Sequence, residues 1–150
     1  MMIGRREEDY LEAIYNIVKE KDVARVKDIA EELEIRPPSV TEMLQKLNSK
    51  DLIRYRRYEG VRLTEEGEKI GEAVQGRHKA LLRFLRLLEI PDTIADKDAC
   101  TMEHGLNPIT IIQLKKFIRF IDDCPKGTPQ WVDHFKEFSR TGRFPEECRD

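Results

Sequence analysis

Apolar residues recur at helical spacing along most of the chain and at strand spacing in one short stretch. Tyr10, Ile14, Ile17 and Val18 form a stripe that predicts a first helix over about 6–19, with Asp9, Glu12 and Asn16 on another face. Val26, Ile29, Ala30 and Leu33 predict a second helix over 26–33, followed by a turn at Glu34-Ile35-Arg36. Pro37-Pro38 opens a third helix, where a missing amide hydrogen costs little because first-turn amides have no intrahelical acceptor. Val40, Met43, Leu44 and Leu47 line its inner side, leaving Ser39, Thr41, Glu42, Gln45 and Lys46 on the other. The period then changes. Ile53 and Tyr55 alternate with Arg54 and Arg56, and two extended stretches, 52–58 and 61–64, flank the hairpin signal Glu59-Gly60.

Thr64-Glu65-Glu66-Gly67 has the acids of a helix start, and a long helix over about 65–88 is expected to follow until Pro91 breaks the pattern. Further helices are expected at about 93–105 and 108–121. Cys124-Pro125-Lys126-Gly127 reads as a loop, and Trp131, Phe135 and Phe138 predict a short final helix. The order is three helices, a hairpin, then helices only. The expected fold is mainly α: an N-terminal winged helix-turn-helix over 1–64 and an all-helical unit over 65–150, with 121–150 an extension of unassigned role. Leu81, Leu85, Leu88, Ile111, Ile112 and Phe117 are more apolar surface than one small helical unit buries alone, which predicts a homodimer.

Charged residues make up 37% of the chain and apolar ones 39%, a globular composition with no run long enough to span a bilayer. No membrane association is expected. The start of the chain lacks a secretory apolar core, and three cysteines without a pairing framework fit a reducing cytoplasm. The net charge of −2 argues against a non-specific nucleic-acid binder, but its distribution matters more. Between 36 and 62 there are seven basic residues against three acidic ones. That local excess suits a phosphate backbone.

A helix-turn-helix presents the start of its second helix to base edges. Arg36, Pro38, Ser39, Thr41, Glu42 and Gln45 would form that surface, with Lys46, Arg54, Arg56, Arg57 and Arg62 reaching phosphates from the helix and the wing. The plainer alternative is a small α+β unit whose polar helix face meets water.

Cys100-Thr101-Met102-Glu103-His104 concentrates the metal-binding chemistry. Positions 100, 103 and 104 share one helix face and offer a thiolate, a carboxylate and an imidazole, a partial shell for a divalent transition metal. His78 falls on the apolar stripe of the long helix, and Asp9 and Glu12 lie three apart on the first. Taken singly, His78 reads as a core histidine and the Asp9/Glu12 pair as a solvated face. Together they hold enough oxygen, nitrogen and sulfur for one or two octahedral ions. His134, Cys124 and Cys148 show no ligand spacing. Nucleophilic catalysis has no support: there is no Gly-x-Ser-x-Gly and no phosphate-binding glycine loop. An enzyme acting on a small-molecule substrate is therefore not expected.

The assembled blocks resemble the diphtheria-toxin-repressor and manganese-transport-regulator family of metal-dependent repressors. They are Glu8-Asp9-Tyr10-Leu11-Glu12-Ala13-Ile14-Tyr15, Ile29-Ala30-Glu31-Glu32-Leu33, Pro38-Ser39-Val40-Thr41, Leu63-Thr64-Glu65-Glu66-Gly67, Arg77-His78 and Cys100-Thr101-Met102-Glu103-His104. The remaining length leaves no room for the SH3-like domain of longer members, so the short two-domain form is expected. The resemblance implies a repressor of double-stranded operator DNA, active as a homodimer on palindromic sites that control metal uptake. It implies metal ligands at Asp9, Glu12, His78, Cys100, Glu103 and His104. Cys100 matches the cysteine of the iron-type branch where manganese regulators carry glutamate, while Leu82 and Asp96 depart from the iron-type ancillary site. The mixed set suggests Fe(II) favoured over Mn(II), with Zn(II) or Co(II) able to bind in vitro. Two other classes compete: a winged-helix regulator sensing an organic ligand or thiol modification, and a metallohydrolase with an open coordination position.

Overall fold

The computed structural model describes residues 3–149 and divides the chain into two compact units, 1–76 and 77–150. The first unit begins with α1 (Arg5–Lys21), α2 (Val26–Leu33) and α3 (Pro37–Ser49). Glu34 in the left-handed region ends α2, and Ile35 donates back to the Ala30 carbonyl at 3.0 Å. After Arg36, Pro37 starts α3. The stripes read from the sequence meet in one core: Tyr10, Leu11 and Ile14 of α1, Ile29 of α2, and Val40, Leu44 and Leu47 of α3, with Leu52, Ile53 and Val61 beneath them.

Strands β1 (Ile53–Arg56) and β2 (Gly60–Leu63) form the antiparallel wing, in the register Ile53 to Leu63 and Arg56 to Gly60. Tyr58 (φ 74°) and Gly60 (φ 89°) turn the chain. A side chain at Gly60 would strike Val23 and the Ala24 carbonyl, because the segment before α2 pairs with the wing: Val61 donates to the Ala24 carbonyl at 2.7 Å and Ala24 to that of Val61 at 3.1 Å.

Helix α4 (Glu65–Leu87) contributes its first part to the first unit and its last turns to the second. Gly67 lies so close to the Leu52 carbonyl oxygen that a Cβ there would stand 1.9 Å from it. The second unit continues with α5 (Asp92–Met102), α6 (Pro108–Asp122), α7 (Gln130–Thr141) and a short 3-10 turn, Glu146–Cys148. Leu81, Leu85, Ala95, Ala99 and Ile111 form its core. Leu87, Ile121 and Val132 form a second cluster, so the extension is packed onto α4 and α6. Arg83 donates to Asp122 at 2.7 Å across the same helices.

Two expectations change. Helix α5 ends at Met102, short of the 93–105 read from the sequence, and Glu103 and His104 occupy the turn after it. The φ of −60° at Glu103 keeps helical backbone there, so Cys100 and Glu103 still face the same way. Leu81, Leu85 and Ile111 are buried within this unit and leave no surface for a partner. Leu88, Ile112 and Phe117 of the expected set do stay exposed, and Ile109 and Phe120 of α6 are among the further apolar residues exposed with them. Among the described residues no helix is long and apolar enough to cross a membrane.

Candidate metal centre and nucleic-acid interface

The last turns of α4 bring His78 against the end of α5. Its Nδ1 stands 2.8 Å from Glu103 Oε2, and the Cys100 Sγ lies 3.7 Å from the same nitrogen. On the other edge of the ring, Nε2 meets Asp96 Oδ1 at 3.0 Å. Glu103 Oε1 is 3.2 Å from His104 Nε2. His78, Asp96 and Cys100 each present a ligand atom within 4.8 Å of the others. Glu103 is only 1% exposed, so a carboxylate is buried with an imidazole at each oxygen and a thiol nearby. Burying a carboxylate is costly unless cationic or hydrogen-bonding groups compensate it. A buried carboxylate, two imidazoles and a thiolate are the donors a divalent first-row metal accepts, so these residues fit such an ion.

Four of the six sequence-derived ligands, His78, Cys100, Glu103 and His104, thus stand together in the second unit. Asp9 and Glu12 stand one turn apart on α1 of the first unit, both half-buried. Asp96 was read only as a departure from an ancillary site. It lies four residues before Cys100 on α5, and that spacing was the available signal. A carboxylate against a ring nitrogen of a histidine orients the ring, and Asp96 and Glu103 hold the two nitrogens of His78 from opposite edges. His134, read as isolated, lies 3.2 Å from Cys148 Sγ, and all three cysteines are free thiols.

On the first unit, Arg36, Pro38, Ser39, Glu42 and Gln45 are exposed along the start and outer face of α3. Thr41 is half-buried and its hydroxyl donates to the Pro37 carbonyl at 3.2 Å. Arg54, Arg56, Arg57 and Arg62 are exposed on the wing, in loose ion pairs at most: Arg54 with Asp51 and Arg56 with Glu59 at 3.9 Å, Arg62 with Asp22 at 4.0 Å. Such pairs leave a cation available to phosphate. Tyr58, 83% exposed at the wing tip with the Arg57 guanidinium 5.2 Å from its ring centre, was not singled out from the sequence. Lys46 is exposed as well and pairs with Glu7 at 2.9 Å, which leaves its remaining ammonium hydrogens facing outward.

A winged helix followed by a helical unit with a thiol–carboxylate–imidazole cluster defines a metal-responsive DNA-binding regulator. Residues 2–61 match the family of the iron dependent repressor, N-terminal DNA binding domain, and residues 64–132 its metal binding and dimerisation domain. The chain belongs to this family of metal-dependent transcriptional repressors, whose members are regulators and not enzymes. The HTH-type transcriptional regulator MntR of Shouchella clausii (strain KSM-K16) is 38% identical over 140 residues, 93% of this chain and 95% of the relative. The solved manganese regulator SloR is similar at a TM-score of 0.67 and 27% identity, over 80% of this chain and 55% of that one. The solved IdeR of T. acidophilum gives 0.66 and 28%, over 86% and 60%.

Proposed function

We propose that the chain is a metal-gated repressor that grips a palindromic operator as a homodimer, with residues 1–64 reading DNA and 65–150 holding the metal and the partner copy. The observation that carries this reading is the buried Glu103 carboxylate between His78 and His104, with Cys100 beside it. Asp9 and Glu12 are proposed to supply the remaining oxygens. Their spacing on α1 and the family resemblance support that role.

A bound divalent ion would supply a positive centre shared by ligands far apart in sequence. The chain's own residues do the rest. Asp96 orients His78, and Glu103 provides charge already desolvated. Asp9 and Glu12 would draw α1 to the centre, and α1 carries α3 with it, because Tyr10 and Ile14 share a core with Leu44 and Leu47. Two copies would then present their α3 helices one turn of DNA apart, about 34–36 Å. Ser39, Thr41, Glu42 and Gln45 would meet base edges. Arg36, Lys46 and the wing arginines would meet phosphates, with Pro38 setting the start of the helix. The exposed Ile109, Ile112 and Phe117 on α6 support a partner copy as their cover. On the resemblance, the targets are metal-uptake genes in the cytoplasm, where free thiols persist.

Two supports bear on the metal. The Cys100 thiolate favours later divalent ions, hence Fe(II) over Mn(II). The relatives named MntR and the similar solved manganese regulator weigh against that order and favour Mn(II) over the expected Fe(II). Zn(II) and Co(II) are expected to bind in vitro. Anaerobic titration of the protein on an operator duplex with each ion in turn is the experiment. Equal DNA affinity with every ion and with chelator would refute metal gating.

A further inference from the structure

Glu7 is 3% exposed, a buried carboxylate that the metal and DNA roles above leave unused. Its Oε1 receives the ammonium groups of Lys50 at 2.8 Å and Lys46 at 2.9 Å. Its Oε2 accepts the Gly4 amide at 3.2 Å, closing the first turn of α1. Burial pushes this carboxyl up, but the hydrogen bonds from Lys50, Lys46 and Gly4 outweigh it and hold it below the usual carboxylate range. Lys46 lies in the last turn of α3 and Lys50 caps it. The geometry therefore joins the acid-rich start of one helix to the cation-bearing end of another, the orientation that both helix dipoles favour.

The placement matters because of what each helix carries. Asp9 and Glu12 follow Glu7 within the next turns of α1. Gln45 and Lys46 stand beside the tie on α3. The apolar core also joins these helices, but apolar contacts are non-directional and allow small slides. A buried carboxylate with three donors at fixed distances does not.

We infer that Glu7 is a positioning residue that yokes the recognition helix to α1, so that capture of metal at Asp9 and Glu12 moves α3 with α1 as one body. The inference rests on the proposed ligand role of Asp9 and Glu12. Lys50 is the fixed end of the yoke, with its side chain 28% exposed. Lys46, at 55%, is held by Glu7 while still presenting donors outward.

The test uses the full chain, Mn(II) as the ion, and a duplex selected from a random pool by the Mn(II)-loaded protein. The quantity read is the ratio of duplex affinities with Mn(II) and with chelator. Glu7→Gln and Lys50→Met should each cut this ratio by about fivefold or more, the range of coupling energies that single positions carry. The double variant should lose little beyond either single one. Affinity for Mn(II) in the absence of DNA, and affinity for scrambled duplex, should not fall. An unchanged ratio in both single variants would overturn the yoke. Equal losses on selected and scrambled duplex would also overturn it, since Glu7 would then only set lysines for phosphate. So would a loss of Mn(II) affinity without DNA, which would place Glu7 in the metal site. Asp9→Ala runs in parallel. If it leaves the ratio unchanged, the ligand reading has failed; if it abolishes the ratio and Glu7→Gln does not, only the yoke has.

Discussion

The Nδ1 of His78 lies 2.8 Å from Oε2 of Glu103, and 25 residues separate them in sequence. Glu103 is buried, so this contact places a carboxylate charge where water cannot solvate it. Glu103→Gln keeps the shape and removes the charge. Mn(II) affinity should fall by about 100-fold or more, since a lost ligand costs at least what a lost outer partner does. Calorimetric titration of the full chain measures this.

Asp96→Asn tests the orienting role of the carboxylate 3.0 Å from His78 Nε2. An amide can still contact the ring, but a carboxylate is the better proton acceptor. Metal affinity should fall by about 10-fold, within the range for outer partners of a metal histidine. Thermal stability without metal should barely change, because Asp96 is exposed. A loss equal to that of Glu103→Gln would make Asp96 a ligand in its own right.

The winged helix was legible because its periods change at the right places: helical stripes to Leu47, alternation at Ile53–Arg56, then helix again. A period tells which face is buried, not which residue it meets. The pairing of Ala24 with Val61 joins positions 37 residues apart and left no local mark. Glu7 sits in a run of charges that reads as a solvated helix start, yet its partners come from α3, 39 and 43 residues on. The cluster Cys100, Glu103 and His104 was legible because its members are neighbours in sequence. Asp96 was not, since a carboxylate near a helix start is ordinary and only the fold sets it against His78. The surplus apolar surface was read too broadly, because Leu81, Leu85 and Ile111 find partners within their own unit.

Gly67→Ala should destabilise the first unit. The new methyl group would stand 1.9 Å from the Leu52 carbonyl oxygen, so backbone must shift. Overpacking of this kind costs about 1–3 kcal/mol or more. Urea unfolding followed by circular dichroism checks it, with a lower midpoint expected.

Arg56→Ala and Arg57→Ala should weaken binding to operator and scrambled duplex alike and flatten the salt dependence by about one unit per lost contact. Both side chains are exposed on the wing, where phosphate is the accessible group. Gln45→Ala should instead narrow the gap between the two duplexes, because base-edge contacts specify while phosphate contacts position. Fluorescence anisotropy at several salt concentrations separates the two behaviours.

Metal gating stands or falls on one comparison: the affinity of the full chain for a selected operator duplex, measured anaerobically with Mn(II) or Fe(II) and again with chelator, for the natural sequence and for His78→Ala. The natural protein should bind at least about tenfold more tightly with either ion, a coupling within the usual range for linked sites. His78→Ala should bind weakly in every condition. Equal affinity with ion and with chelator, or a His78→Ala protein that still responds to metal, would contradict the role given to the cluster around Glu103.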